Sequence, residues 1–308
     1  MKHGAIIRKL FSLGCHGSYW PTPYSQKGLV IRLVYMMCAL VWAVLTGFGR
    51  FRRDGIVVLC YHGVSAKQRE RFAWQMSKIR SRVVDLAKCR ASTSSCAKLP
   101  YVSMTFDDAF ANLMENALPI LEQYQIPATI FAVADNLGCS PRWEMPYGHP
   151  ESTEMTITAE QLVAVSKNPL FRIGSHTLTH PDLAKIRPEQ LKIELTESKH
   201  RLEELLHKPI EDLSLPFGSH DQEVLRMARE AGYKRVYTVD AKPANPMSEE
   251  AVMSRFAMAP DTWKIEFILT CAGAYSWLYR VRKLCHLFLD HRFFCPRAWA
   301  SIPRQTAL

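Results

Sequence analysis

The sequence predicts an α/β domain built on a mainly parallel sheet, open or closed into a barrel, and three observations support that class. Short continuous apolar runs, such as Ile56-Val57-Val58-Leu59-Cys60 and Ala128-Thr129-Ile130-Phe131-Ala132-Val133, have the composition of strands covered on both faces. Stretches with apolar residues at helical spacing follow them, so strand-then-helix units succeed one another. Polar residues capable of chemistry stand just after the runs, which is where parallel sheets and barrels alike build their sites.

Bulk composition agrees with one large domain or two small ones: 308 residues, 48% hydrophobic and 22% charged, exclude global disorder. The net charge of +10 is uneven. Residues 1–100 carry 17 Lys/Arg against 3 Asp/Glu, residues 101–259 carry 15 against 23, and residues 260–308 carry 7 against 3. Basic flanks that also hold most of the tryptophans suit an anionic membrane surface, with ordinary solvated charge as the alternative. No basic nucleic-acid motif accompanies them, so no nucleic-acid partner is expected. Nine cysteines, at 15, 38, 60, 89, 96, 139, 271, 285 and 295, form no C-x-x-C. Such scatter reads as reduced thiols and favours the cytoplasmic over the periplasmic face of a membrane.

Taken in order, residues 1–27 are basic and show no clear period. Leu29 to Phe48 is almost wholly apolar and broken only by Arg32. With Arg32 snorkelling, this stretch reaches the roughly 20 residues that a bilayer asks for. Positive charge flanks both ends, and no small-residue cleavage site is present. Three readings stand: a membrane anchor, an interfacial helix, or a buried helix packed on the domain.

The first strand, from Ile56, ends in Tyr61-His62-Gly63. Residues 67–80 read as helix, 82–87 as a further strand, and 90–98 as a loop rich in Ser, Thr and Ala. Tyr101-Val102-Ser103-Met104 runs into Thr105-Phe106-Asp107-Asp108-Ala109. Phe110, Leu113, Met114, Ala117, Leu118 and Leu121 then fall at helical spacing, and Pro119 kinks or restarts that helix. The strand at 128–133 precedes a long irregular stretch, 137–156, of the kind that often forms a lid. Phe171-Arg172-Ile173-Gly174 leads into Ser175-His176-Thr177-Leu178-Thr179-His180. A helix begins near Pro188, with Leu191, Leu195, Leu202 and Leu206 on its inner face. Leu213-Ser214-Leu215-Pro216-Phe217-Gly218 is another strand end, and Ser219-x-x-Gln222 has the capping-box pattern for a helix that closes at Gly232. Arg235 to Val239 makes a strand. From 261 onwards Trp263, Phe267, Tyr275, Trp277 and Tyr279, with Arg280, Arg282 and Lys283, describe a helical tail suited to the same membrane surface.

Two pairs carry the chemistry. Asp107 and Asp108 are adjacent carboxylates that resist desolvation together, so a cation or a proton between them would favour the pair. An Asx turn or helix N-cap is the plainer reading. His176-x-x-x-His180 can present two imidazoles to one side on a helical turn, against the plainer reading of two surface histidines. Together they suggest a two-His, one-carboxylate divalent metal site, which leaves positions open for water and a substrate oxygen, as hydrolysis requires.

In that order, and with Tyr61-His62 upstream, Thr105-Phe106-Asp107-Asp108, Ser175-His176-Thr177-Leu178-Thr179-His180 and Leu215-Pro216-Phe217-Gly218 resemble the motifs of the polysaccharide deacetylase family and its NodB homology domain. The resemblance covers about residues 55–240. It implies a distorted (β/α) barrel that binds zinc or another divalent ion and removes acetyl groups from N-acetylated sugars of a glycan or a lipid-linked saccharide. It further implies that Asp107 is the general base and that Asp108, His176 and His180 are the metal ligands. The Phe217 backbone N–H, beside Pro216, would help hold the oxyanion. The chain then divides into a basic segment with an apolar helix (1–54), a catalytic domain (55–260) and a basic aromatic tail (261–308).

Three departures stand out. The first motif ends in Ala109 where Gly is usual, a minor change if the backbone angle there is negative. The Arg common before the third motif is replaced by Ser214 or Leu215, which would leave the base with a raised pKa. No late Leu-x-His motif supplies the general acid; His286 and His291 stand at no convincing strand end, and of His62 and His220 the former is favoured because it ends a strand. These departures motivate an alternative, a weak or inactive deacetylase-like domain that binds glycan or serves assembly. Deformylation or O-deacetylation would differ only in the acyl group.

Overall fold

In the computed structural model, residues 26–47, 55–89, 100–145, 149, 151–248 and 251–281 are described. The expectations for residues 1–25 and 90–98, and for Arg282, Lys283, His286 and His291, lie outside them. Strands β1 (Val57–Tyr61), β2 (Val102–Phe106) and β3 (Ala128–Ala132) are buried at every position. That burial follows from their mainly apolar composition, since neither face of such a strand can be given to water. The polar Ser103, Thr105 and Thr129 are buried with them, Thr105 Oγ1 donating to Leu59 O at 2.8 Å. Next come β4 (Phe171–Ser175), β5 (Asp212–Ser214) and β6 (Arg235–Tyr237), then two short strands the sequence reading missed, β7 (Val252–Met253) and β8 (Arg255–Ala257).

All eight strands pair in parallel, in the order β7-β6-β5-β4-β3-β2-β1-β8. β7 and β8 occupy opposite ends of that order, yet only Ser254 separates them in the chain. One residue between them keeps the two edges within about 7 Å. The sheet is therefore a distorted barrel whose seam is closed by covalent backbone rather than by a hydrogen-bonded ladder.

Helices α2 (Arg69–Ile79), α3 (Asn112–Asn116), α4 (Leu118–Gln123), α5 (Ala159–Lys167), α6 (Pro188–Leu206), α7 (Gln222–Glu230) and α8 (Lys264–Cys271) surround it. Pro119 divides α3 from α4, as its missing N–H demands. Helix α5 went unread, although Thr158-x-x-Gln161 caps it reciprocally: the Gln161 N–H donates to Thr158 Oγ1 at 3.3 Å, and the Thr158 N–H donates to Gln161 Oε1 at 2.8 Å. The cap of α7 is Asp221, whose Oδ1 accepts from the Val224 N–H at 2.9 Å, and not the Ser219 box. Residues 82–87 are not a strand: only Val83 bridges to Val102, because Asp85 accepts from the Ala87 N–H and turns the chain into a 3-10 helix.

Upstream of the barrel lies α1 (Gln26–Leu45), three residues earlier than predicted. No helix among the described residues is long and apolar enough to cross a membrane. Arg32 does not snorkel; it is buried, donates to both carboxylate oxygens of Glu266 on α8, and lies 4.1 Å from the centre of the Trp263 ring.

Candidate active site

A parallel barrel brings the C-terminal ends of its strands to one rim, and the polar residues that follow β1, β2, β4 and β5 meet there. Asp107 and Asp108 leave β2; the Asp107 N–H still donates to Tyr61 O at 2.8 Å, so the pair stands where the strand lets go of its neighbour. The chain then turns through two residues of positive φ, Asp108 at 65° and Ala109 at 49°. Ala109 is thus not a neutral replacement for Gly, as a negative angle would have made it, because the left-handed region costs an L-residue roughly 1–2 kcal/mol. The pair is neither an Asx turn nor a cap: both side chains are buried and point to histidines.

His176 and His180 are four residues apart but not on a helical turn. Residues 176–180 form a loop after β4, with positive φ at Thr177 and His180. Such backbone persists only where its surroundings impose it. Here the buried Glu194 of α6 does so: its Oε2 accepts from the N–H groups of Leu178 and Thr179 at 2.9 and 3.0 Å, and its Oε1 accepts from Thr179 Oγ1 at 2.5 Å. Ser175 Oγ and Thr177 Oγ1 accept from the N–H groups of Thr177 and His180.

Asp108, His176 and His180 bring one potential ligand atom each to within 4.8 Å of one another. Asp108 Oδ1 lies 3.6 Å from Nε2 of each histidine, too far to share a hydrogen bond, and it is buried without any hydrogen-bond partner. His176 Nδ1 must donate to Ser214 O at 2.9 Å, since a carbonyl only accepts, and this leaves a bare lone pair on Nε2. An orphaned carboxylate oxygen between two imidazole nitrogens fits a divalent ion. Burial pushes Asp108 up to about 7, helped by the charges of Asp107 and Glu151 and opposed by His62. Burial also lowers the pKa of His176 and, further, of His180, which favours the neutral imidazole that a metal ligand needs.

Asp107 has the opposite environment. Burial alone would raise its pKa, but the guanidinium of Arg255, with His176 and His62, takes it below the usual carboxylate range. Arg255 is fully buried on β8 and pairs with it in a fork, Nη1 to Oδ1 at 2.7 Å and Nη2 to Oδ2 at 2.8 Å. Ser214 Oγ and Cys60 Sγ donate to Oδ2 as well, at 3.1 and 3.4 Å. Arg255 spends its remaining donors on Thr238 O, Thr105 Oγ1 and Ser214 Oγ. The arginine missing before the third motif is therefore supplied from a strand about forty residues later, and the expected rise in the pKa of Asp107 is overturned. Its sequence signal was a lone Arg in the short apolar run Val252-Met253-Ser254-Arg255-Phe256-Ala257.

His62 is half-buried after β1, and its pKa is raised because Glu151, Asp108 and Asp107 outweigh the effect of burial. Glu151 is fixed by the Gly63 N–H at 2.7 Å. Pro216 opens a 3-10 turn in which Phe217 has φ 58°. Gly218 must be glycine, since a Cβ there would meet Val239 Cγ2 at 1.9 Å. The Phe217 ring stands edge-on to the His180 ring at 5.0 Å, and Trp143, from the long loop after β3, stacks on the His180 ring at 4.5 Å. Trp143 was missed because nothing in its irregular stretch marks it. His220 turns its Nδ1 to Gly218 O.

Comparison with known proteins follows the same lines. Residues 94–236 match the family described as polysaccharide deacetylase. The chain is 25% identical over 171 residues to the poly-beta-1,6-N-acetyl-D-glucosamine N-deacetylase of Staphylococcus aureus (strain MRSA252), a match covering 53% of this chain and 56% of that one. It spans about half the length of the curated relatives it matches. Two solved structures share its fold. The Streptococcus pyogenes deacetylase PplD in complex with acetate is 21% identical with a TM-score of 0.58, covering 71% of this chain and 98% of that one. IcaB from Ammonifex degensii is 22% identical with a TM-score of 0.58, covering 71% and 97%.

Proposed function

We propose, from the premise that the chain belongs to the polysaccharide deacetylase family through residues 94–236, that it is a metal-dependent hydrolase of N-acetylated sugars. Its substrate is a glycan or a lipid-linked saccharide, and the amide of an N-acetyl group is the bond cleaved. The observation that carries this reading is the orphaned Asp108 Oδ1 between His176 Nε2 and His180 Nε2, with Arg255-bound Asp107 beside it. The Staphylococcus aureus relative, named for poly-beta-1,6-N-acetyl-D-glucosamine, points to the substrate class.

Asp108, His176 and His180 would hold the ion, and zinc suits two imidazoles and one carboxylate with open positions. When bound, the ion supplies Lewis-acid polarisation of the amide carbonyl and a water of lowered pKa. Asp107 stays ionised near neutrality and accepts the proton of the attacking water. Because Arg255 weakens it as a base, Asp107 gives the proton up readily afterwards. The Phe217 N–H donates to the developing oxyanion. His62 donates a proton to the nitrogen as the carbon–nitrogen bond breaks, leaving acetate and a free amine. Trp143 and Phe217 wall the site with rings on which a sugar face can rest.

Purified protein should contain about one divalent ion and release acetate from an N-acetylglucosamine oligomer. His176→Ala and Asp107→Asn should each abolish release, and retained activity in both would sink the reading. Binding of metal and sugar with no acetate release would assign the chain to glycan binding instead.

A further inference from the structure

Helix α1 has two faces of different character. Its inner face is fastened to the domain: Ala39 and Ala43 are fully buried, Tyr35 packs edge-on to Trp277, Trp42 Nε1 donates to Ser276 Oγ at 3.3 Å, and Arg32 pairs with Glu266 out of reach of water. Its outer face is a stripe of Val30, Val34, Met37, Val41 and Val44, each about half exposed or more, at the spacing of one helix side. Such a row of valines and methionine on one helix is a contiguous apolar surface that needs a partner.

Charge identifies the partner. The helix contains no Asp or Glu, and residues 1–53 contain eight Lys/Arg and no acidic residue. Arg32 is neutralised by Glu266, but Lys27 and Arg50, Arg52 and Arg53 outnumber the single acidic residue near them in sequence, Asp54. Arg280 adds a guanidinium 5.4 Å from the Trp42 ring. Two copies of the chain facing each other through this stripe would bring like charges together, whereas anionic lipid headgroups meet an apolar stripe and a basic margin at once. The fastening also sets the geometry. Were α1 to stand up and cross the bilayer, it would strand Glu266, fully buried, without its counter-charge.

We propose that the outer face of α1 docks on an anionic lipid bilayer, with the helix lying in the plane of the membrane and the barrel held against it. This is independent of the deacetylase reading, since binding to lipid can be measured without substrate. Full-length protein should float with phosphatidylglycerol–phosphatidylcholine vesicles and much less with pure phosphatidylcholine. The double variant Val34→Glu/Val41→Glu should lose at least about tenfold in vesicle affinity. Ile193→Glu, an equally exposed position on α6, should bind as wild type. Val34→Ser/Val41→Ser, a gentler change, serves should the charged variant fail to fold, and should weaken binding in the same direction. Absence of flotation, or flotation that these variants leave unchanged, would overturn the proposal. So would a dimer in sedimentation analysis that the variants dissociate while no vesicles are bound, which would give the face to a second copy.

Discussion

Asp107 and Asp108 are neighbours in sequence and opposites in chemistry. One is wrapped by Arg255, Ser214 and Cys60, while the other faces two neutral imidazoles with an oxygen left over. Arg255→Met should therefore act in two ways. It leaves a buried carboxylate uncompensated, costing about 3–5 kcal/mol in denaturant unfolding, of which Asp107→Asn/Arg255→Met should recover part. In the protein that still folds, the base loses the positive neighbour that depresses its pKa. The acidic limb of the activity profile should then move to higher pH, and an unmoved limb would remove Arg255 from the tuning of Asp107. Arg255→Lys should not restore the wild-type profile, because an ammonium cannot make the fork.

Among the elements, the loop at 176–180 and helix α1 each hang on one buried carboxylate. Glu194→Ala removes the acceptor for Leu178, Thr179 and the Thr179 hydroxyl, and should cost about 3 kcal/mol. Because that loop carries two of the proposed metal ligands, metal affinity should fall about 10–100-fold, while Glu194→Gln, with one acceptor oxygen kept, should lose less. For α1, Arg32→Ala leaves Glu266 unpaired and should cost about 3–5 kcal/mol. Limited proteolysis should then cut between α1 and β1, and Arg32→Met/Glu266→Met should restore protection.

Across the folded domain, the proposed metal would compete with a proton for one group. Asp108 is raised to about 7 from its ordinary 3.8. A raised carboxyl contributes stability below its unfolded pKa and loses it as pH rises through the folded value, so the metal-free protein should weaken between about pH 4 and 7 on this account. Metal displaces that proton, so affinity should climb by up to about tenfold per pH unit until about 7, then level off. The gap in Tm between metal-loaded and chelated protein should widen over the same range. Asp108→Asn should flatten it, and a gap independent of pH would exclude Asp108 as the ligand that titrates.

Much of this was legible in the chain. Short, mainly apolar runs bounded by polar residues read as strands, so β1, β2, β3 and β4 were readable, and with them the rim where Asp107, Asp108, His176 and His180 stand. Local chemistry also marked Pro119 and Pro188 as helix boundaries. What was not legible depended on contacts distant in sequence. Strands of two and three residues, such as β7 and β8, have too few side chains to show a period, and they exist because the barrel's two edges need neighbours. Arg255 acquires its meaning only when β8 is laid beside β1 and its guanidinium reaches Asp107, 148 residues away. Glu194 looks like any helix-surface carboxylate until α6 is packed under the histidine loop. The sign of Asp107's pKa shift followed from the same closure, since electrostatics depends on distance in space and the chain order conceals it. The residues proposed to perform the chemistry were thus present in the motifs, while the groups that tune and hold them came from the folding of the barrel onto itself.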